Sequence, residues 1–175
     1  MAAPRQSFWV ITVAIVAGAM GFSWVGWLAL RALPVVVDSS LQPALAAMTG
    51  KKVGPYFSHV ADLPPAVLEA ARLEFGSQSF EMADAGGPWN ATDVAVGSLP
   101  FRRLIWATAV DEHFILHYEM GGIGHSWHVL VFGPIQNGRR ECVWAGSAEQ
   151  SFWSVYTFSR GAAAGKILSN PAFMH

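Results

Sequence analysis

Charged side chains are scarce in this chain. Lys, Arg, Asp and Glu make up only 13% of its 175 residues, whereas a soluble domain averages about 25%. We therefore expect part of the chain to lie away from water. The few charges form neither a basic run nor a basic patch with interleaved aromatic residues, so the sequence predicts no nucleic-acid partner.

Cysteine is almost absent as well. Cys142 is the only one, so a monomer has no internal disulfide, and both reducing and oxidising compartments are compatible with the sequence. Its place in ECVWAG is typical of a small buried hydrophobe in a strand. The segment GAAAGK (161–166) has one residue too few between its glycines for a phosphate-binding loop, and Ile167 replaces the required Ser or Thr. We expect no nucleotide partner and no cofactor.

One long uncharged run dominates the N-terminal region. Residues 8–30 contain no charged side chain, and a helix of about 20 apolar residues spans a bilayer core. The run exceeds the ~7–15 apolar residues of a cleavable signal peptide. The sequence thus predicts a short tail over 1–7 and an uncleaved transmembrane helix over 8–30. Three tryptophans near its ends are expected at the membrane interface: Trp9, Trp24 and Trp27.

The expected location is a bacterial inner membrane, crossed once. Abundant Ala and Gly, and more Arg than Lys, are associated with a bacterial source. Arg5 precedes the uncharged run and Arg31 follows it, so the positive charges are nearly balanced across the span. We expect the N-terminal tail in the cytoplasm and the C-terminal domain in the periplasm or another extracytoplasmic space.

The rest of the chain is predicted to form a stem, one domain and a tail. The juxtamembrane stem is expected over 31–61, with a short helix over 39–49 and then a turn or loop at VGPYFSH (53–59). A small α+β domain is predicted over 62–161 and a loosely ordered C-terminal tail over 162–175.

Helical spacing of apolar residues predicts one clear helix over 62–76, with Asp62 as its N-cap and Gly76 at its end. Ser147 and Gln150 resemble a capping box, which favours a second helix over 147–161, although its aromatic residues also suit a fifth strand.

From residue 94 onward the apolar period changes to two, which is typical of strands. Short Gly-rich and Asn-Gly breaks between the strands predict an antiparallel β-meander of about four strands, packed by one or more helices. A further short strand is predicted over 79–82. The strands of the meander are predicted at 101–110, 113–120, 126–133 and 140–146.

Three of the six histidines fall within HYEMGGIGHSWH (117–128). In a strand His113 and His117 lie roughly 13 Å apart, and His125 and His128 point to opposite faces. These geometries exclude His113 and His125 from a shared site.

A four-residue GGIG loop would place His117 opposite His128, with Glu119 on the same side. The sequence therefore yields one candidate polar or metal cluster, formed by His117, His128 and Glu119. The alternative is that the two histidines are half-exposed sheet residues beside Trp106. A one-residue shift in register would abolish the cluster.

The loop over 83–93 is rich in Gly, Pro, Asn and Asp, and it carries Trp89. An exposed indole is a good contact residue for a partner, whereas a Trp89 that folds back would cover an edge of the core. A nucleophilic Cys142 would need a nearby histidine base and an exposed, electropositive setting, which a buried strand position does not provide. Ser126 lies next to His125 and His128, but neither a strained turn nor an orienting acid accompanies it.

These patterns predict a membrane-anchored, non-enzymatic binding or accessory module. It would present a small α+β domain at the membrane face, with the lipid bilayer and a protein as partners. The alternative is a membrane-tethered hydrolase or metal-binding protein that uses the cluster of His117, His128 and Glu119.

Overall fold

The computed structural model describes residues 50–76 and 81–169 of the chain. Within them, six strands and two α-helices form an α+β fold. In chain order the elements are β1 (Val53–Phe57), a short 3-10 helix (Val60–Asp62), α1 (Pro65–Glu74), β2 (Arg102–Val110), β3 (His113–Met120), β4 (Ser126–Phe132), β5 (Cys142–Ala148), α2 (Val155–Ala163) and β6 (Ile167–Ser169).

All six strands form one antiparallel sheet in the order in which they occur in the chain. The predicted meander corresponds to β2–β5, and each of its predicted bounds lies within two residues of the observed one. The antiparallel sheet is thereby confirmed. Its size was underestimated, because β1 and β6 add a strand at each edge.

A helix covers each face of the sheet. On one face α1 buries Val67 and Ala71 against a set of strand residues that includes Leu116 and Leu130. On the other face α2 packs against another buried set, and full burial of an aromatic side chain there contributes up to about 3 kcal/mol. The larger members of this second set are Trp106, Ile115, Val129, Val131, Trp144, Phe152 and Phe158.

The first predicted helix is present but begins later than expected. Asp62 belongs to the 3-10 helix instead of capping α1, and Pro64 occupies the N-cap position without a side-chain bond. Gly76 follows the helix with φ of +59°, a conformation that favours glycine after a helix C-terminus.

One predicted element was wrong, and another begins later than predicted. The stretch over 53–59 was predicted as a loop, yet Val53–Phe57 pairs with β2 as an edge strand. The helix predicted over 147–161 begins only at Val155, because residues up to Ala148 remain paired with β4. Its capping box is formed by Ser154 and Thr157.

The C-terminal tail is also partly structured, since Ile167–Ser169 pairs with β5 as β6. Of the short strand predicted over 79–82, only Glu81 and Met82 are described, and they belong to no named strand.

No helix in the described residues has the length and apolar character needed to cross a membrane. The predicted transmembrane helix over 8–30, its interfacial tryptophans Trp9, Trp24 and Trp27, and the helix predicted over 39–49 lie outside the described residues.

Candidate functional site

The hairpin of β3 and β4 is shifted by one residue from the predicted register. Met120 pairs with Ser126, so the loop comprises five residues, 121–125, instead of four. As a result His117 faces Val129 and His128 faces Tyr118. Side chains alternate along a strand, so His117 and His128 point to opposite faces of the sheet. The prediction that they share a site was wrong.

His117 is fully buried and holds backbone groups together. Its Nδ1–H donates to the carbonyl oxygen of His128 at 2.8 Å, and its Nε2 accepts from the Phe152 N–H at 3.1 Å. The Trp106 indole donates to the carbonyl oxygen of the same Phe152 at 2.6 Å. Burial lowers the pKa of His117 to about 4, so the imidazole is neutral at pH 7. Both ring nitrogens are occupied, which leaves no lone pair for a metal.

His128 lies on the α1 face, stacked on the Tyr118 ring with 5.0 Å between the ring centroids. Two serine hydroxyls flank its imidazole: Ser126 Oγ is 2.8 Å from Nε2, and Ser147 Oγ is 3.1 Å from Nδ1. Burial first, and then the positive charge of Arg102, lower the pKa of His128 to about 4. The sequence did not indicate this serine–histidine–serine arrangement, because Ser147 is brought in by β5.

Glu119 shares a sheet face with His117 but binds other partners. Its Oε1 accepts from Arg103 Nε at 2.6 Å, and its Oε2 accepts from His125 Nε2 at 2.8 Å. The Glu119 side chain is 8% exposed, and a buried carboxylate that loses its partners is costly. The structure therefore joins Glu119 to His125, which strand geometry alone had excluded.

Two indoles enclose this ion-pair network. The Trp89 ring contacts His125 at 5.4 Å between centroids, and His125 in turn contacts Trp127 at 4.6 Å. The guanidinium of Arg103 lies 4.8 Å from the centroid of Trp89, a favourable cation–π geometry. We call Trp89, Arg103, Glu119, His125 and Trp127 the indole cluster.

The loop that carries Trp89 is fixed in place by Asn90. The buried Asn90 side chain donates to the carbonyl oxygen of Leu99 at 2.6 Å and accepts from the Val96 N–H at 2.8 Å. The backbone of Asn90 lies against Gly121, where a Cβ would overlap the Asn90 carbonyl oxygen. Trp89 is consequently half-buried on a fixed loop.

Exposed apolar side chains lie beside the indole cluster on the segments that flank Asn90 and Gly121. Ile123, at the tip of the β3–β4 hairpin, is 99% exposed. The others are Val94, Val96 and Phe101. We call these four residues, with the exposed parts of Trp89, His125 and Trp127, the hairpin-end surface. It lies at the opposite end of the sheet from Val53, which pairs with Val110 at the far end of β2.

Metal binding has no evident site in residues 50–76 and 81–169, where no three His, Cys, Asp or Glu side chains converge.

A shallow groove of about 280 Å³ runs along the segment that precedes β2. Its lining comprises Glu81, Gly97, Ser98, Leu99, Pro100, Phe101 and Arg102. Burial raises the pKa of the Cys142 thiol to about 12, so Cys142 is not a thiolate nucleophile at pH 7.

Comparison with known proteins gives no relative: no family model, no curated protein and no solved structure matches the chain. Function is therefore argued from the geometry of the described residues.

Proposed function

We propose that the chain is a membrane-anchored binding module whose hairpin-end surface docks a protein partner. Contiguous groups of exposed apolar side chains are typical of protein-interaction sites. Ile123 at the tip of the hairpin is the observation that carries this proposal, because its side chain is almost wholly in water. Tryptophan and arginine, both present in the adjoining indole cluster, are the residues most enriched at the energetic centres of interfaces.

Preorganisation supports the same proposal. A loop that is ordered before binding loses less conformational entropy when the partner arrives. The hydrogen bonds of Asn90 and its contact with Gly121 fix the Trp89 loop in the free protein. The hairpin-end surface can therefore bind a partner without first folding.

The membrane part of the proposal depends on the sequence of residues 8–30, an uncharged run long enough to cross a bilayer. We propose a single-pass protein of a bacterial inner membrane with its domain on the extracytoplasmic side. An alkaline-phosphatase fusion to the C-terminus tests the orientation. Active enzyme is expected, and an inactive fusion that is present in the membrane at normal abundance would reverse the topology.

The predicted alternative, a hydrolase or metal-binding protein built on His117, His128 and Glu119, has no geometric support. The two histidines lie on opposite faces of the sheet, and Glu119 is bonded to Arg103 and His125.

Site-specific photo-crosslinking in the native cells tests the docking surface. A photoreactive residue replaces Ile123 in the full chain, and a matched control replaces Ile135, which is 58% exposed in the loop after β4. The seven residues of β4 separate the two positions by about 20 Å.

We expect one discrete adduct from position 123, weakened by Trp89→Ala, and none from position 135. Equal adducts at the two positions, or no adduct at position 123, would overturn the docking proposal.

A further inference from the structure

Two aromatic side chains on the outer side of α2 contribute little to the fold. Trp153 lies directly before the N-cap of α2 and is 86% exposed, and Tyr156 in the first turn is 68% exposed. An apolar residue before an N-cap often packs against the fourth residue of the helix, which is Phe158 here. Phe158 instead contacts Trp144 and Phe152, and the Trp153 indole stays in water. Packing within the domain therefore accounts for neither exposed ring.

Arg160 lies on the same side of the helix. Trp153, Tyr156, Arg160 and Ala163 follow one another at intervals of three or four residues, which places them on one helix face. The guanidinium of Arg160 lies 5.8 Å from the centroid of the Tyr156 ring. Neither Arg160 nor the exposed Lys166 has a carboxylate partner within residues 50–76 and 81–169. Exposed indole and phenol rings beside unpaired cations are typical of a membrane–water interface.

Charge is distributed unevenly along the domain. Residues 150–175 contain Arg160 and Lys166 and no acidic residue, whereas residues 32–149 contain seven Lys and Arg against twelve Asp and Glu. An anionic surface therefore attracts the segment that forms α2 and repels the remainder. This asymmetry favours one orientation of the domain on such a surface.

The length of the preceding segment keeps the domain beside the bilayer. Residues 31–49 connect the uncharged run over 8–30 to Gly50, and these 19 residues span at most about 65 Å when fully extended. Tethering makes a second contact with the same bilayer effectively intramolecular, so that even a weak contact is populated. The inference rests in this respect on the membrane anchor proposed above.

We propose that Trp153, Tyr156, Arg160 and Lys166, which we call the α2 face, rest on the headgroups of a bilayer that contains anionic lipid. The two rings lie at the headgroup level, where the apolar body of each ring leaves water and its polar atom remains hydrated. Arg160 and Lys166 bind the lipid phosphates. Because α2 covers one face of the sheet, this contact holds the sheet along the bilayer and directs α1 into water.

Spin labels on the full chain, reconstituted in liposomes, test the contact. A cysteine replaces Ala163, an exposed residue of the same helix side that leaves the four residues of the α2 face intact. The matched control replaces Leu73, which is 69% exposed on α1, on the opposite face of the sheet. The unsubstituted chain measures background labelling at Cys142, whose thiol pKa is raised to about 12 by burial.

Collisions of the label with oxygen, which concentrates in bilayers, are compared with collisions with a water-soluble nickel chelate present on both sides. In liposomes of equal parts phosphatidylglycerol and phosphatidylcholine, the ratio of oxygen to chelate collisions should be higher at position 163 than at position 73. In phosphatidylcholine alone, the ratio at position 163 should fall towards that of position 73.

Charge variants measure the part played by anionic lipid. Arg160→Gln and Lys166→Gln should each lower the ratio of membrane-bound to free domain, read from the two components of the spectrum, about fivefold, because one basic residue contributes roughly that factor at an anionic surface. Arg72→Gln removes the same charge from the exposed side of α1 and should have little effect. Trp153→Gln should also return position 163 to water. These side chains lie at the surface, so all four variants should melt like the wild type.

Three results would overturn the α2 face. The label at position 163 could meet the chelate as often as the label at position 73, which would mean that α2 lies in water. It could be shielded from oxygen and chelate alike, which would mean that a protein, such as a second copy of the chain, covers α2. It could give the same ratio in phosphatidylcholine alone, which would refute recognition of anionic lipid.

Carbonate extraction separates these failures from a failure of the anchor. A chain that stays in the liposomes at high pH while position 163 is in water keeps its anchor and lacks the α2 contact. A chain that carbonate removes has no anchor, and the inference then fails with the membrane part of the proposed function. The crosslinking test at Ile123 is independent of both outcomes.

Discussion

Replacing His117 with leucine removes a side chain that bonds to two buried backbone groups. The carbonyl oxygen of His128 loses a donor, and the Phe152 N–H loses its acceptor. A buried polar group left without a partner costs about 1–3 kcal/mol. Leucine is similar in size and restores apolar packing against Trp106, so we expect a loss of about 2–4 kcal/mol in the free energy of unfolding at pH 7.

Lowering the pH should also reduce the stability of the protein through His117. His117 and His128 both have pKa values lowered to about 4 by burial, while the unfolded chain keeps values near 6.5. Between those two pH values the unfolded chain binds protons that the native state does not, so stability falls as pH falls. Each histidine should cost about 3 kcal/mol over this window, at 1.36 kcal/mol for each pKa unit. The loss is absent above about pH 6.5 and complete near pH 4.

Urea titrations of the full chain in mild detergent, followed by tryptophan fluorescence at pH 7 and pH 5, measure both effects. His117→Leu should unfold at lower urea at pH 7 and should show about half the acid sensitivity of the wild type. His113→Leu, at a half-buried histidine of the same strand, should stay within about 0.5 kcal/mol of wild type at pH 7. If His117→Leu matches the wild type in stability and in acid response, the structural role of His117 is refuted.

Three further changes test other parts of the fold. Gly121→Ala places a Cβ on the Asn90 carbonyl oxygen and should lower the free energy of unfolding by at least about 1–3 kcal/mol. The control Gly124→Ala places its Cβ in open space and should melt like the wild type. Equal melting temperatures for the two variants would contradict the contact between Gly121 and Asn90. Cys142, with its pKa raised to about 12, should react with a thiol reagent at pH 8 at least about 100-fold more slowly in the native chain than in urea, and equal rates would mean that the thiol is accessible. Ser154→Ala removes the capping box of α2 and should cost about 1 kcal/mol, seen as a drop of a few degrees in melting temperature; an unchanged melting curve would mean that the cap does not contribute.

The meander could be predicted because its signals are local. Strands β2–β5 are runs rich in β-branched and aromatic residues, and short breaks at Asp111-Glu112, GGIG and Asn137-Gly138 separate them. Asn137 and Gly138, between β4 and β5, both have positive φ, as a tight turn at an Asn-Gly pair requires. Such features act within ten residues, so they are visible without knowledge of the tertiary structure.

The elements that were missed depend on distant partners. Strand β1 contains Gly54 and Pro55, which read as a loop, and it is held in the sheet by pairing with β2, about 50 residues later. Ser147 and Gln150 have the spacing of a capping box, but the pairing of Ser147 with His128 keeps this stretch in β5. In both places, pairing with a strand distant in the sequence overrides the structure that the local sequence favours.

Whether His117 and His128 lie on one face of the sheet depends on the length of the loop between β3 and β4. A four-residue loop would have put His117 and His128 on one face, and the observed five-residue loop puts them on two. Because strand side chains alternate, that one residue changes every partner of His128. The observed register places the His128 imidazole between Ser126 and Ser147, with each ring nitrogen near a serine hydroxyl. The same shift makes His125 part of the loop, where it reaches Glu119. Sequence patterns can therefore locate the residues that carry chemistry in a hairpin, but the register decides which chemistry they can perform.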